Sequence, residues 1–203
     1  MGKRGLRGGC RGAWLGALLL VAACDQGGGL LEGAWLVAPD CGGSGRAQRF
    51  EPFARELEVM GASEEDGALT LRFAPAGAGW ASSDQLVVVL EAAETARAQI
   101  AEDGEARWPI EEADGQVPTA PEVRASVALL STCPRITAGL AASGGAATFT
   151  SLGRHKGERV RGTLSFDVVD GRTGELLGED FRADFDFEIA LGQPHRTFSP
   201  RAL

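Results

Sequence analysis

The stretch RVRGTLSFDVVDGRTGELLGEDFRADFDFEIALG, residues 159–192, decides the fold class. From Phe181 to Leu191 the odd positions are Phe181, Ala183, Phe185, Phe187, Ile189 and Leu191, with Arg182, Asp184, Asp186 and Glu188 between them. Side chains of a strand alternate between its two faces, so this pattern predicts a strand with one face in a core and the other in water. Val160, Leu164, Phe166 and Val168 alternate in the same way with Arg161, Thr163, Ser165 and Asp167. Between the two runs Asp170-Gly171-Arg172-Thr173-Gly174 is turn chemistry, and the expectation is an antiparallel hairpin.

Charge selects its register. Two pairings that keep apolar residues facing one another set Arg161 across from Asp186 or from Glu188. A third sets Asp167 against Asp184 and is disfavoured by like charge. Both favoured pairings leave extra residues near Gly178 to Asp180, which predicts a bulge or wide loop there.

Outward from this hairpin the theme repeats. Leu57 and Val59 lead through GASEEDG to Leu69, Leu71 and Phe73, a second hairpin. The run LVVVL, Leu86 to Leu90, suits a central strand covered on both faces. Thr95 to Glu102 and Glu105 to Ile110 flank Asp103-Gly104, a favoured hairpin loop, and read as two more strands. Glu122 to Ser131 and Ala146 to Leu152 bring the strands to about nine or ten. Helical signal is confined to Pro52 to Met60 and Pro134 to Ala142. The pattern predicts an all-β antiparallel sandwich, with a β-barrel as the alternative, because a sheet pair forms from hairpins without the matched tilt that closure demands.

The N-terminus speaks about location. Lys3, Arg4, Arg7 and Arg11 precede the apolar run AWLGALLLVAA, which is well short of the roughly 20 apolar residues that a bilayer span takes. A basic segment, an apolar segment and small residues describe an export signal. Val21-Ala22-Ala23-Cys24 resembles the lipobox of bacterial lipoproteins, cut by signal peptidase II. The resemblance covers only the first 24 or so residues. It implies residues 1–23 as a discarded signal peptide and Cys24 as the mature N-terminus, carrying diacylglycerol and an amide-linked acyl chain such as palmitate. Residues 24–29 then read as a flexible tether and residues 30–203 as one β-rich domain. Asp25 follows the cysteine, a residue that in some enteric bacteria marks retention in the inner membrane; inner and outer membrane both stay open.

Loss of the signal removes four of the 20 basic side chains and leaves 16 against 28 acidic ones, a formal charge of about −12. So acidic a chain is a poor ligand for nucleic acid, and the lipid, not a basic patch, is what would hold it to a membrane. Cys41 and Cys133 remain as thiols. In an oxidising compartment such a pair forms one disulfide; two free thiols, or half of a metal site, are the alternatives. There is no CxxC, and the histidines number two, His155 and His195, so no metal is expected.

Candidate chemistry is sparse. Asp184, Asp186 and Glu188 read as a solvated strand face paired with Arg159 and Arg161 more readily than as a metal cluster. Asp170 to Glu175 lacks the ligand spacing of a calcium loop. Arg154-His155-Lys156, with Arg159 and Arg161, is the one basic cluster, able to meet lipid headgroups or an acidic partner and otherwise a plain loop. Ser44 and Ser143 lack a nucleophile motif, and nothing sets a histidine beside them. Trp35 and Trp108 read as core, and Trp80, in GAGWASS, is the candidate ligand contact. The sequence therefore points to a non-enzymatic envelope lipoprotein without a cofactor, binding a protein or glycan or scaffolding an assembly. The alternatives are a small-ligand or glycan carrier, which needs a deep cavity, and a hydrolase.

Overall fold

The structure is a computed structural model that describes residues 27–38, 41, 48–75, 83–110, 122–134 and 136–189. In chain order the elements are β1 (Gly27–Val37), β2 (Arg49–Leu57), β3 (Val59–Glu65), β4 (Ala68–Ala74), β5 (Gln85–Leu90), α1 (Ala93–Asp103), β6 (Ala106–Pro109), β7 (Val123–Leu129), β8 (Ile136–Leu152), β9 (Arg159–Asp170) and β10 (Leu176–Glu188). The strands pair antiparallel in one sheet of order β2-β1-β10-β9-β8-β7-β5-β4-β3, with β6 also on β8. The all-β expectation holds in its barrel-like form. β2 and β3 stand at opposite edges, yet Glu58 alone separates them, and its N–H donates to the Ala74 carbonyl at 3.1 Å. One run of chain thus supplies both edges, and the sheet curls into half a barrel without a full ladder to close it.

The C-terminal hairpin forms in the register that opposite charge favours. Asp186 lies opposite Arg161 and Glu188 opposite Arg159, and the pairing slips between Gly178 and Phe181, at the expected bulge. Asp180 takes a positive φ of 54° there, and its N–H donates to Asp167 Oδ1 at 2.9 Å. The inward faces make the core. Phe73 of β4 meets Phe185 at 4.8 Å and Phe187 at 6.0 Å between ring centroids, although four strands separate β4 from β10 in the sheet. Phe181 packs on Phe53 and Phe166 at 5.3 and 5.8 Å. Such aromatic contacts across the curl give the sheet a reason to bend: they bury both inner faces against each other.

Four expectations need correction. Thr95 to Glu102 is not a strand but part of α1. Alanine, arginine, glutamine and glutamate are strong helix formers, and Ala93, Ala96 and Ile100, spaced by three and four, turn one face to the core. Gly104 ends this helix, with φ 85° and its N–H on the Ile100 carbonyl at 2.9 Å, so Asp103-Gly104 is a helix end and not a hairpin loop. Both helical candidates, 52–60 and 134–142, lie largely in strands: Phe53 and Leu57 of β2 alternate into the core, and β8 begins at Ile136. Leu86 to Leu90 is buried on one face only, with Val87 and Val89 half-buried on the other.

The fourth correction falls on the tether. Gly27, Gly28 and Gly29 pair with Phe187, Asp186 and Phe185, so β1 starts inside the segment expected to be flexible. A Cβ on Gly27 would fall 2.0 Å from the Asp186 carbonyl, and one on Gly29 would fall 2.7 Å from that of Asp184. These glycines allow β1 to approach β10 closely, which is a packing role and not one of slack.

Gly104→Ala is a test of the helix end. A methyl group there meets no atom within 4 Å, so the cost is the left-handed backbone alone, about 1 kcal/mol. Urea unfolding should show an unfolding free energy lowered by that amount, read as a shifted midpoint at unchanged m-value; an unchanged midpoint would count against the cap.

Candidate functional site

The two ends of the half-barrel are closed by different chemistry. Asp84, immediately before β5, is 2% exposed. Its Oδ1 accepts the backbone N–H of Ser131 at 2.8 Å and of Thr132 at 3.2 Å, while Oδ2 accepts the Thr132 hydroxyl at 2.5 Å and Arg55 Nε at 2.9 Å. Burial alone would raise this carboxyl; donors from Thr132, Ser131 and Arg55 outweigh it and hold the pKa below the ordinary carboxylate value. Next to this knot Cys41 and Cys133 are joined as a disulfide, with 5.6 Å between Cα atoms. Arg55 of β2 lies over the Phe53 ring at 4.8 Å and also donates to Thr132 Oγ1 at 2.7 Å.

At the other end of β5, α1 covers the strand ends. Arg97, in the middle of the helix, donates to the Leu152 carbonyl at 2.8 Å, to Glu64 Oε2 at 2.6 Å and to Glu94. One guanidinium thereby ties the helix to β3 and to the end of β8. The same hydrogen bond holds the Glu64 carboxyl below the ordinary carboxylate range. Beyond Leu152 the β8–β9 loop carries Arg154, His155 and Lys156, all exposed. Arg154 pairs with Glu94, and Glu158 Oε2 accepts the backbone N–H groups of Arg154 and His155 at 2.6 and 3.2 Å. A cleft of about 680 Å³ lies between this loop and α1.

The residues singled out in the sequence do not converge. Asp186 accepts from Arg159 Nε at 2.8 Å and Arg161 Nε at 2.7 Å, and Asp184 accepts from Arg182 Nε at 2.8 Å, as a paired strand face would. Among the described residues no three histidine, cysteine or acidic side chains are grouped to hold a metal ion. Asp170 shapes its turn by accepting the Arg172 N–H at 2.8 Å. Ser143 sits beside the β8 bulge, opposite Asp167. From there β8 runs on to Leu152 before reaching His155, roughly 30 Å at a strand's rise per residue. Trp35 and Trp108 are 2% and 7% exposed, and Trp108 Nε1 donates to Gln99 Oε1 at 2.9 Å. Cys24, Ser44, Trp80 and His195 lie outside the described residues.

Sequence reading missed Asp84, Arg55 and Arg97. No local motif marks them, because the partners of Asp84 lie 29 to 48 residues away and those of Arg97 up to 56. No family model, curated protein or solved structure matches the chain.

Proposed function

We propose that this chain is an exported bacterial lipoprotein, anchored through Cys24 to the inner or outer membrane, whose half-barrel domain works by binding or scaffolding rather than by catalysis. The observation that carries the reading is the motif Val21-Ala22-Ala23-Cys24 at the end of a basic and then apolar leader. Two further features support it. The Cys41–Cys133 bridge suits an oxidising, exported compartment, and the first strand begins three residues after Cys24, where a mature domain would start. Diacylglycerol with a third acyl chain would give stable attachment, since each buried CH₂ contributes about 0.8 kcal/mol and one chain alone binds only marginally.

A binding role at the surface fits the interior better than a carrier role. The gap bordered by Leu31, Leu57, Leu86 and Leu129 is too small for a water molecule. A hydrolase would need a base beside Ser143, and His155 lies well away from it along β8. The partner on this reading is an envelope protein or a glycan.

Expression of the full chain with labelled palmitate tests the anchor. Wild type should take the label and sediment with membranes, and Cys24→Ala should do neither. Label persisting in the variant overturns the reading.

A further inference from the structure

The geometry points to a second membrane contact, resting on the reading that Cys24 carries the lipid: the cleft between α1 and the β8–β9 loop takes phosphate-bearing headgroups of anionic lipids, and so fixes which end of the domain faces the bilayer. Strand register supplies the orientation. Gly27, Phe187, Val160 and Leu152 form one row across β1, β10, β9 and β8, so the chain leaves for Cys24 about three strand spacings, roughly 14 Å, from the start of the basic loop. The loop is also tied directly to β10, with the Gly157 N–H on the Ile189 carbonyl and the Ile189 N–H on that of Glu158, both at 2.9 Å. Cys24, Asp25 and Gln26 are all that intervene between the lipid and β1. Three residues reach about 10 Å at most, which leaves this end of the barrel against the headgroup layer.

The chemistry of the cleft suits what it would meet there. Arg97, Arg154, His155 and Arg159 line it, and Ile100 and Leu152 give it an apolar wall. Arg97 is committed to Glu64, Glu94 and the Leu152 carbonyl and forms the floor. Arg154 pairs with the exposed Glu94, and Arg159 with the half-buried Asp186, which it shares with Arg161. Surface pairs of this kind are weak, and a phosphate offers a guanidinium two oxygens in the geometry it prefers. Glu158, the acid inside the loop, accepts from backbone N–H groups and shapes the loop around them. Lys156 at the loop's tip adds a further exposed cation. Acids stand at the cleft as well: Glu64, Glu94 and Asp186 pair with its arginines and Glu158 with its backbone N–H groups. A phosphate therefore has to compete with Glu94 and Asp186 for Arg154 and Arg159, while charges farther off are screened by salt over about 8 to 10 Å. The lipid anchor supplies the affinity, and the loop sets the orientation.

The acylated full chain, reconstituted in vesicles of phosphatidylcholine alone or of equal parts phosphatidylcholine and phosphatidylglycerol, tests this. Amide hydrogen exchange of residues 152–158 should slow on the anionic vesicles by about fivefold or more, the effect of a cation or two at an anionic surface. The slowing should vanish in about 1 M salt, where screening leaves little surface attraction, and in the double variant Arg154→Gln, Lys156→Glu. Equal exchange on the two vesicles overturns the inference, a comparison that needs only wild type. Palmitate incorporation separates the two claims. A chain that takes no label overturns anchor and orientation together, whereas a labelled chain with equal exchange overturns the orientation alone.

Discussion

Reduction of the Cys41–Cys133 bridge is expected to cost the domain about 2 to 5 kcal/mol. The bridge spans 92 residues of sequence, and on the chain-entropy model a loop near that length is worth about 4 to 5 kcal/mol. Its place in the fold argues that the effect extends to the native state. Cys41 lies in the β1–β2 connection and Cys133 in the β7–β8 connection, and β1 is separated from β7 by β10, β9 and β8 in the sheet. The disulfide therefore crosses the curl and holds together two parts of the sheet that share no ladder. For a domain of this size each kcal/mol moves the melting temperature by about 2 to 4 °C, so a fall of roughly 4 to 20 °C is expected on reduction, and likewise for Cys41→Ser with Cys133→Ser. Calorimetry with and without reductant, beside a thiol titration of the unreduced protein, reads it. Two titratable thiols and an unmoved melt would exclude the bridge.

How much of this fold could be read in advance depends on how far each determinant reaches along the chain. The β9–β10 hairpin is legible because Phe181 to Ile189 alternate strictly and because the registers that set Arg161 across from Asp186 or Glu188 are favoured over the one that sets Asp167 against Asp184. Even the bulge at 178–180 follows from counting. α1 is not legible in the same way. Its buried face is made of Ala93 and Ala96, which carry little hydrophobic signal, and Gly104 serves a hairpin and a helix end equally well. Pro52 argues for a helix start in isolation, but β2 is an edge strand, where proline is tolerated. The single curled sheet depends on Phe73 meeting Phe185 and on Glu58 bridging two edges, relations that no local pattern expresses. Of the candidate sites, the proposed anchor rests on a contiguous motif in the sequence, whereas the cleft needs α1 and the β8–β9 loop brought together by Arg97.

Asp84→Ala is expected to destabilise the domain by about 2 kcal/mol, because it leaves the Ser131 and Thr132 N–H groups without their acceptor at a part-buried site. Arg55→Ala should cost less, about 1 kcal/mol, since the arginine side chain is 35% exposed and water can replace part of what it gives. Denaturant midpoints of the two variants distinguish the causes: equal losses would mean that the ion pair, and not the capping of the β7–β8 loop, is what matters. The pH dependence has a definite sign. The folded pKa of Asp84 lies below its ordinary value of 3.8, so its contribution is fully present above that value. It is lost as pH falls through the lower folded value and the carboxylate takes a proton. Wild type should therefore lose stability on acidification below about pH 4, and Asp84→Asn should lose less over the same range. Parallel acid limbs in the two proteins would assign the acid sensitivity to other carboxylates. Thr132, which donates to Asp84, is next in the chain to Cys133, so the carboxylate and the disulfide secure one loop from its two sides. Their losses should not add: with the loop already released by Asp84→Ala, reduction has less native order left to undo, and a coupling of about 0.5 kcal/mol or more is expected in the double-mutant cycle. Strict additivity would mean that the bridge acts through the unfolded chain alone.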